Sequence, residues 1–327
     1  MRSRGFTLIE LMISMLLGLV VIGGAMGVIL ANRQSYRTNE GLSQVQESAR
    51  TAFELLARDV RQAGVTGCNN DGRVANVLND EGVWWQTWFG LRGFDGTQAD
   101  GAAGFGGALP NNRVQGTDSI QLQGIEGTGH AVAQHVPHSA MFHITAPTTE
   151  IAQGDILMVC DFDHAAIFQV SNYNSNNVAV VHNTGFAVSP GNCAQELGYP
   201  TVCGPHGAPY EYGLNSQLAR LSAVSWYIGD NGRPAEGGRS LYRRRLGAAG
   251  AEEIVTGVTD MQIRYRAAGG EEFFDAIDVD SWTDVNAVMF TLTLQSADRR
   301  VTTDPTVDAG RLEREFSHIV TLRNRVP

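Results

Sequence analysis

Few side chains in this 327-residue sequence stand where they could do chemistry together. Four histidines, His130, His135, His138 and His143, fall close together, and imidazole is a common metal ligand. Their spacings match no compact helical site and no carboxylate pair lies nearby, so they read as surface or loop histidines. Asp161-Phe162-Asp163-His164 could set two carboxylates on one face of a strand, but a calcium loop needs more oxygen ligands and a glycine turn. No metal is expected. There is no Gly-x-Ser-x-Gly elbow and no Ser/His/Asp grouping. The glycine-rich run GAAGFGGALP (101–110) lacks the full dinucleotide fingerprint, so no cofactor is expected either. Arg243-Arg244-Arg245 is the densest basic patch. Arginine pairs well with phosphate, yet on a chain of formal charge -10 three arginines fit protection of a sheet edge better than contact with nucleic acid.

Composition removes further chemistry. The sequence contains no lysine, so all 24 basic residues are arginine. A P-loop lysine, a Schiff-base lysine and a Ser-x-x-Lys pair are therefore excluded. The expectation is a protein that is not an enzyme, with catalytic residues none. The four cysteines, Cys68, Cys160, Cys193 and Cys203, form no Cys-x-x-Cys pair. An even count beyond a membrane anchor fits an oxidising compartment. Of the three connectivities, Cys193 with Cys203 across a short loop through Pro200, and Cys68 with Cys160, is the favoured one.

The elements that would position any site begin with Arg2 to Ala31, RSRGFTLIELMISMLLGLVVIGGAMGVILA. A short basic leader ends at Gly5, and in the apolar run that follows Glu10 is the single ionisable group. Roughly 20 apolar residues span a bilayer core as a helix, and Leu11 to Ala31 supplies them. A secretory signal has a shorter apolar core followed by its cleavage site, whereas here composition breaks before the run, which should survive processing. Arg2 and Arg4 would hold the N-terminus in the cytoplasm. A carboxylate near the membrane costs of order 2 to 3 kcal/mol, so Glu10 needs a partner or must snorkel into headgroups. Gly18, Gly23, Gly24 and Gly27 each weaken the helix by about 1 kcal/mol relative to alanine. Gly23 and Gly27 also have the spacing of close helix packing.

Gly5-Phe6-Thr7-Leu8-Ile9-Glu10 closely resembles the cleavage and methylation motif of type IV prepilins and type II secretion pseudopilins, matched at every position. The resemblance implies that a prepilin peptidase cuts after Gly5 and that the new N-terminal Phe6 is methylated. It implies that the hydrophobic helix is both membrane anchor and filament core, and that Glu10 pairs with the methylated amine of a neighbouring subunit's first residue. It also offers a second reading of the four glycines, as a stretch that can lose helical structure in a filament.

From Asn32 to Ala63 the pattern becomes amphipathic, with Leu42, Val45, Ala49, Ala52, Leu56 and Val60 at steps of three and four. No proline intervenes, so anchor and amphipathic segment predict one helix of about 58 residues, roughly 87 Å long. Residues 64–117 carry no sustained period and read as an irregular insertion. Trp84, Trp85, Trp88 and Phe89 within it are either buried in the domain's own core or a contact surface for another pilus component. Strand-like runs follow at 119–123, 140–144, 155–160, 166–170, 178–182, 221–228, 241–246, 254–266, 285–295 and 314–323, with alternation clearest near the end. Trp226 and Tyr227 read as core aromatics. Turn-rich connectors imply a mainly antiparallel sheet.

Three further stretches resemble the PilW family of minor pilins: SYRTNEGLSQVQESARTAFELLARDVRQAG (35–64), GDILMVCDFDHAAIFQVS (154–171), and a tail in which VTGVTDMQIRYR, WTDVNAVMFTLTLQS and EFSHIVTLRNRVP occur in order. The implied fold class is α+β and type IV pilin-like, a long N-terminal helix packed on a mainly antiparallel sheet. The implied organisation is a leader at 1–5, a membrane and filament-core helix at 6–31, an amphipathic helix at 32–63 and a periplasmic β-rich domain at 64–327. The implied role is in type IV pilus assembly and twitching motility, in a priming or tip complex with other minor pilins on which major pilin assembles. The prepilin peptidase and the inner-membrane assembly platform are the other implied partners. Such a chain would sit in the inner membrane with its C-terminal domain periplasmic, then in the pilus. A minor pseudopilin of type II secretion shares the first motif and helix, and a membrane-anchored periplasmic enzyme or adhesin is the third alternative.

Overall fold

A run of good helix formers with apolar residues every third or fourth position must both form a helix and bury one stripe of it. In the computed structural model, which describes residues 7–68, 73–106, 112–185, 188–299, 301–302 and 310–325, one helix, α1 (Leu8–Gln62), does so without interruption. Its buried residues are Gly41, Val45, Ala49, Ala52, Leu56, Ala57 and Val60, all in the second half. The helix ends where Ala63 turns to extended backbone and Gly64 takes a φ of +76°.

The strands are β1 (Val74–Asn76), β2 (Leu91–Phe94), β3 (Ser119–Val136), β4 (Met141–Ile144), β5 (Ile156–Cys160), β6 (Ala165–Gln169), β7 (Asn172–Asn174), β8 (Ala179–Val181), β9 (Glu196–Leu197), β10 (Gly207–Ala208), β11 (Gln217–Asp230), β12 (Arg239–Arg245), β13 (Glu252–Thr256), β14 (Val258–Ala267), β15 (Val285–Gln295) and β16 (Glu313–Thr321). Eleven join one sheet whose main path runs β1-β6-β5-β11-β3-β4-β8-β7, with β12 and β13 continuing from β11 and β2 pairing with β3. β14, β15 and β16 make a separate three-stranded antiparallel sheet. Pairing is antiparallel apart from β1 with β6 and β9 with β10. The architecture is thus one long N-terminal helix, apolar in its first half, packed on a mainly antiparallel β domain.

Two cores result. Leu56 and Val60 of α1 meet Trp226, Ile263, Phe290 and Leu292 in a cluster that joins the helix to both sheets. Burying a side chain the size of leucine contributes about 1.5 to 3 kcal/mol, so this stripe is what holds α1 to the domain. A second core, around Val132, Phe142, Leu157, Phe168, Val180 and Leu218, contains no helix residue. Cys68 is joined to Cys160 and Cys193 to Cys203.

Several sequence expectations need correction. The run 254–266 is two strands, because Gly257 takes a φ of +75° and a Cβ there would stand 2.7 Å from the Gln295 carbonyl oxygen. The run 119–123 extends to Val136, since polar residues late in β3 still find strand partners in β4 and β11. The insertion 64–117 holds β1 and β2, and buried side chains organise the rest of its described part. Gln123 donates to the carbonyls of Trp85 and Thr87, each at 2.9 Å. Asp100, buried, accepts from Ser119 Oγ at 2.6 Å and from Gln121 Nε2 at 2.5 Å. Buried Arg113 donates to the carbonyls of Asp95, Gln98 and Thr117. In a chain without lysine, arginine's fork is the cation available to gather loop carbonyls.

Candidate functional site

The first half of α1 is the surface that the domain does not explain. Thr7 caps the helix: Glu10 N–H donates to Thr7 Oγ1 at 3.3 Å, and the Glu10 carboxylate accepts from Thr7 N–H at 3.0 Å and Thr7 Oγ1 at 2.9 Å. This reciprocal capping box satisfies backbone donors that a helix start leaves unpaired. It was legible in the sequence as Thr-x-x-Glu ahead of an apolar run, and was missed there. The box holds the Glu10 side chain against Thr7 at the helix start. Gly5 and Phe6, with Arg2 and Arg4, lie outside the described residues.

Beyond Glu10 the helix is bare. Leu11, Met12, Ile13, Leu16, Leu17, Val20, Val21, Ile22, Ile29 and Leu30 are all exposed by half or more. Added Cβ atoms at Gly18, Gly23, Gly24 and Gly27 would meet nothing within 4 Å. Among the described residues, the domain first touches the helix at Gln34 and Thr38, whose side chains donate to the Val301 carbonyl at 3.0 Å each, and at Gly41, packed under Val301. A stretch from Leu8 to Arg33, roughly 39 Å at 1.5 Å per residue, therefore stands clear of the domain's described residues. It is long and apolar enough to cross a membrane. Apolar area on this scale is stable only in lipid or against other apolar helices.

The other candidates are absorbed by the fold. The four clustered histidines separate. His130 meets Glu150 at 3.2 Å, His138 meets Glu196 at 3.1 Å, and His143 reaches the Asn177 carbonyl at 3.2 Å. His135 is not a surface residue: it is buried, stacked on Phe142 at 4.0 Å between ring centroids, and 5.8 Å from His182. In the Asp161 to His164 turn, Asp161 accepts from the backbone N–H of Asp163 and His164 and from Tyr210 Oη. Asp163 pairs with Arg73 at 2.8 Å and with His164 at 2.9 Å. These carboxylates shape a turn. Among the described residues no group of three or more His, Cys, Asp or Glu is placed to hold a metal ion.

Arg243 does not guard a sheet edge, because β12 there lies between β11 and β13, while Arg245 is exposed beyond the last β13 partner. Arg243 pairs with Glu252 at 2.9 Å and covers the Trp226 ring, and Arg244 donates to the Ala102 carbonyl at 2.6 Å. Trp85 and Trp88 are half-buried and pack beside Leu78, Met158 and Ile167, and Trp84 is half-buried as well. A polar groove of about 500 Å³ beside the end of α1 is lined by Arg58, Asp59, Glu126, Arg243 and Arg245, with charges of both signs.

Comparison with known proteins bears on the exposed helix. The family model described as the prokaryotic N-terminal methylation motif matches residues 1–26. No curated protein matches the chain. Among solved structures, a type IV-like pilin from Thermus thermophilus aligns over 87% of this chain and 98% of its own, at 10% identity and a TM-score of 0.32.

Proposed function

We propose that this chain is a pilin-type assembly subunit, and within that class a minor pilin acting in type IV pilus assembly in a priming or tip complex with other minor pilins. The observation that carries the proposal is the N-terminal methylation motif over residues 1–26 leading directly into a helical half that its own domain leaves uncovered. Leu8 to Arg33 anchors the subunit in the inner membrane and then enters a bundle of like helices, while the β domain faces the periplasm. Cleavage after Gly5 makes methylated Phe6 the new N-terminus, and the Glu10 carboxylate then exchanges a Thr7 hydrogen bond for the amine of a neighbouring subunit. The three PilW-like stretches support the pilus over type II secretion.

The test is deletion of the gene, comparing sheared surface pili with the secreted proteome, in parallel in a strain that cannot retract pili. Loss of pili with secretion intact is the expected result, with partial recovery when retraction is absent. Normal pili with lost secretion would move the subunit to a type II apparatus. An intact mass beginning at Met1 in the membrane form would replace the pilin reading by an ordinary signal anchor.

A further inference from the structure

A β-sheet runs out of hydrogen-bond partners at its edges, and the two edges of the β14-β15-β16 sheet are finished differently. Along β14 several outward backbone groups are taken. Asp118 N–H donates to the Met261 carbonyl at 2.9 Å, Ile263 N–H donates to the Asp118 carboxylate at 2.7 Å, and Tyr265 and Phe274 exchange two bonds of 2.8 Å. On the other side β16 pairs with β15 in unbroken register, Phe316 opposite Leu292, His318 opposite Phe290 and Val320 opposite Val288. The bonds that flank this run, Ser296 N–H to the Leu312 carbonyl and Leu322 N–H to the Asn286 carbonyl, identify the even-numbered residues of β16 as those bonded to β15. Antiparallel pairs alternate, so Glu315, Ser317, Ile319 and Thr321 aim N–H and C=O away from the sheet. All four are exposed, and among the described residues no strand pairs there.

From Phe316 to Thr321 the edge has none of the usual protection: no proline, no bulge, no arginine or carboxylate. It is also beside the helix. The His318 ring lies 5.5 Å from that of Phe53 on α1, and Phe316 packs partly into the core that holds α1. A subunit whose apolar helix runs alongside that of its neighbours receives their domains on the flanks of its own helix, and the free edge of β16 is such a flank.

We propose that β16 accepts an extended strand from a neighbouring subunit of the same helix bundle, by β-augmentation, an inference that rests on the pilin-type reading. Backbone bonds at Ser317 and Ile319 carry the recognition. Side chains of the incoming strand alternate, apolar ones toward Phe316 and His318 beside α1, and hydroxyl or β-branched ones toward Ile319 and the hydroxyl pair of Ser317 and Thr291, 3.0 Å apart.

The experiment uses the full chain in its native cells. A photoreactive benzoylphenylalanine replaces Ile319, and in a second strain Ser317→Pro removes one outward N–H. Proline is tolerated on an edge strand when its missing N–H faces solvent. His318→Pro, which breaks an inner bond to β15, is the control for fold damage. The expected adduct joins this chain to one that itself begins at an N-methylated residue. Ser317→Pro should melt close to the parent, be processed as the parent is, and enter sheared filaments about tenfold less, the change expected for one lost backbone hydrogen bond. Should Ser317→Pro not fold, the adduct at position 319 decides alone. A chain that enters filaments without giving that adduct, or Ser317→Pro incorporated as the parent is, overturns the edge proposal and leaves the pilin reading intact. A parent chain neither processed nor found in any filament overturns both.

Discussion

The indole N–H of Trp226 donates to the Asp59 carboxylate at 3.0 Å, so the last turns of α1 are tied to β11 by one partly buried bond. Arg243 completes the joint, its guanidinium 5.3 Å from the Trp226 ring centroid and 3.9 Å from Asp59. Burial raises the Asp59 carboxyl above its ordinary value, and the Trp226 bond and Arg243 offset this only in part.

Trp226→Phe keeps a ring in the core and removes the donor. Removing a hydrogen bond to this partly buried carboxylate should destabilise the domain by about 1 to 2 kcal/mol, measured by urea unfolding of the detergent-solubilised chain. A loss under about 0.5 kcal/mol, the range of an ordinary surface substitution, would show that the joint does not hold the helix.

Asp118 sets one pH dependence. Its burial, with Asp95 nearby, raises its carboxyl to about 6, despite the hydrogen bond it accepts from Ile263. Unfolded, it ionises near 3.8, so between those values the native state holds a proton that the unfolded state has lost. Its contribution to stability is full below about pH 4 and declines as pH rises to about 6. Asp118→Asn, whose amide oxygen can still accept from Ile263, should flatten melting temperature against pH across that window; an unchanged slope would remove Asp118 as its source.

His135 and His182 act with the opposite sign. Both rings sit among Phe142, Phe168 and Tyr212, His135 accepting from Tyr212 N–H at 3.1 Å. Burial lowers His135 to about 4 and His182 to about 3. The unfolded chain takes up protons near 6.5 and the native state does not, so stability present above that value is lost as pH falls from 6.5 toward 3. His182→Leu removes two ring nitrogens that have no partner and should raise the melting temperature at pH 5 more than at pH 8. Equal shifts at both pH values would mean that packing, not protonation, governs the site.

The disulfides differ in the loop they close, 92 residues of separation for Cys68–Cys160 and 10 for Cys193–Cys203. Loop entropy alone predicts that replacing the first pair by alanine costs about 2 kcal/mol more than replacing the second. Chemical denaturation of the two double variants measures the difference, and the reverse order would locate the effect in the native state.

Glu10→Ala removes the reciprocal half of the capping box and the carboxylate assigned to assembly. Processing at Gly5, read by intact mass, is expected to persist, while the subunit disappears from sheared filaments. Undiminished incorporation would leave Glu10 a cap and nothing more.

Local patterns carried much of this protein in the sequence itself. The processing motif, the apolar half of α1 and its amphipathic continuation depend on composition and spacing within one segment, and a helix satisfies its backbone within that same segment. The alternating stripes of β14 and β15 were legible for the same reason: their inward residues, Ile263 and Phe290 among them, are buried to the last few per cent. What only the tertiary structure decided is long-range pairing. Which strand stands beside which, that β12 is interior so that Arg243 covers Trp226 and Arg244 reaches the Ala102 carbonyl, and that β14 is capped by Asp118 while no strand among the described residues pairs with the outer edge of β16, all depend on partners tens to hundreds of residues away. Strand periodicity states which face is buried and carries no information about the neighbour along the hydrogen-bonding direction. For that reason the anchor could be read from the first 31 residues, while the joint at Trp226 and the free edge at Ser317 and Ile319 emerged only once the chain was folded.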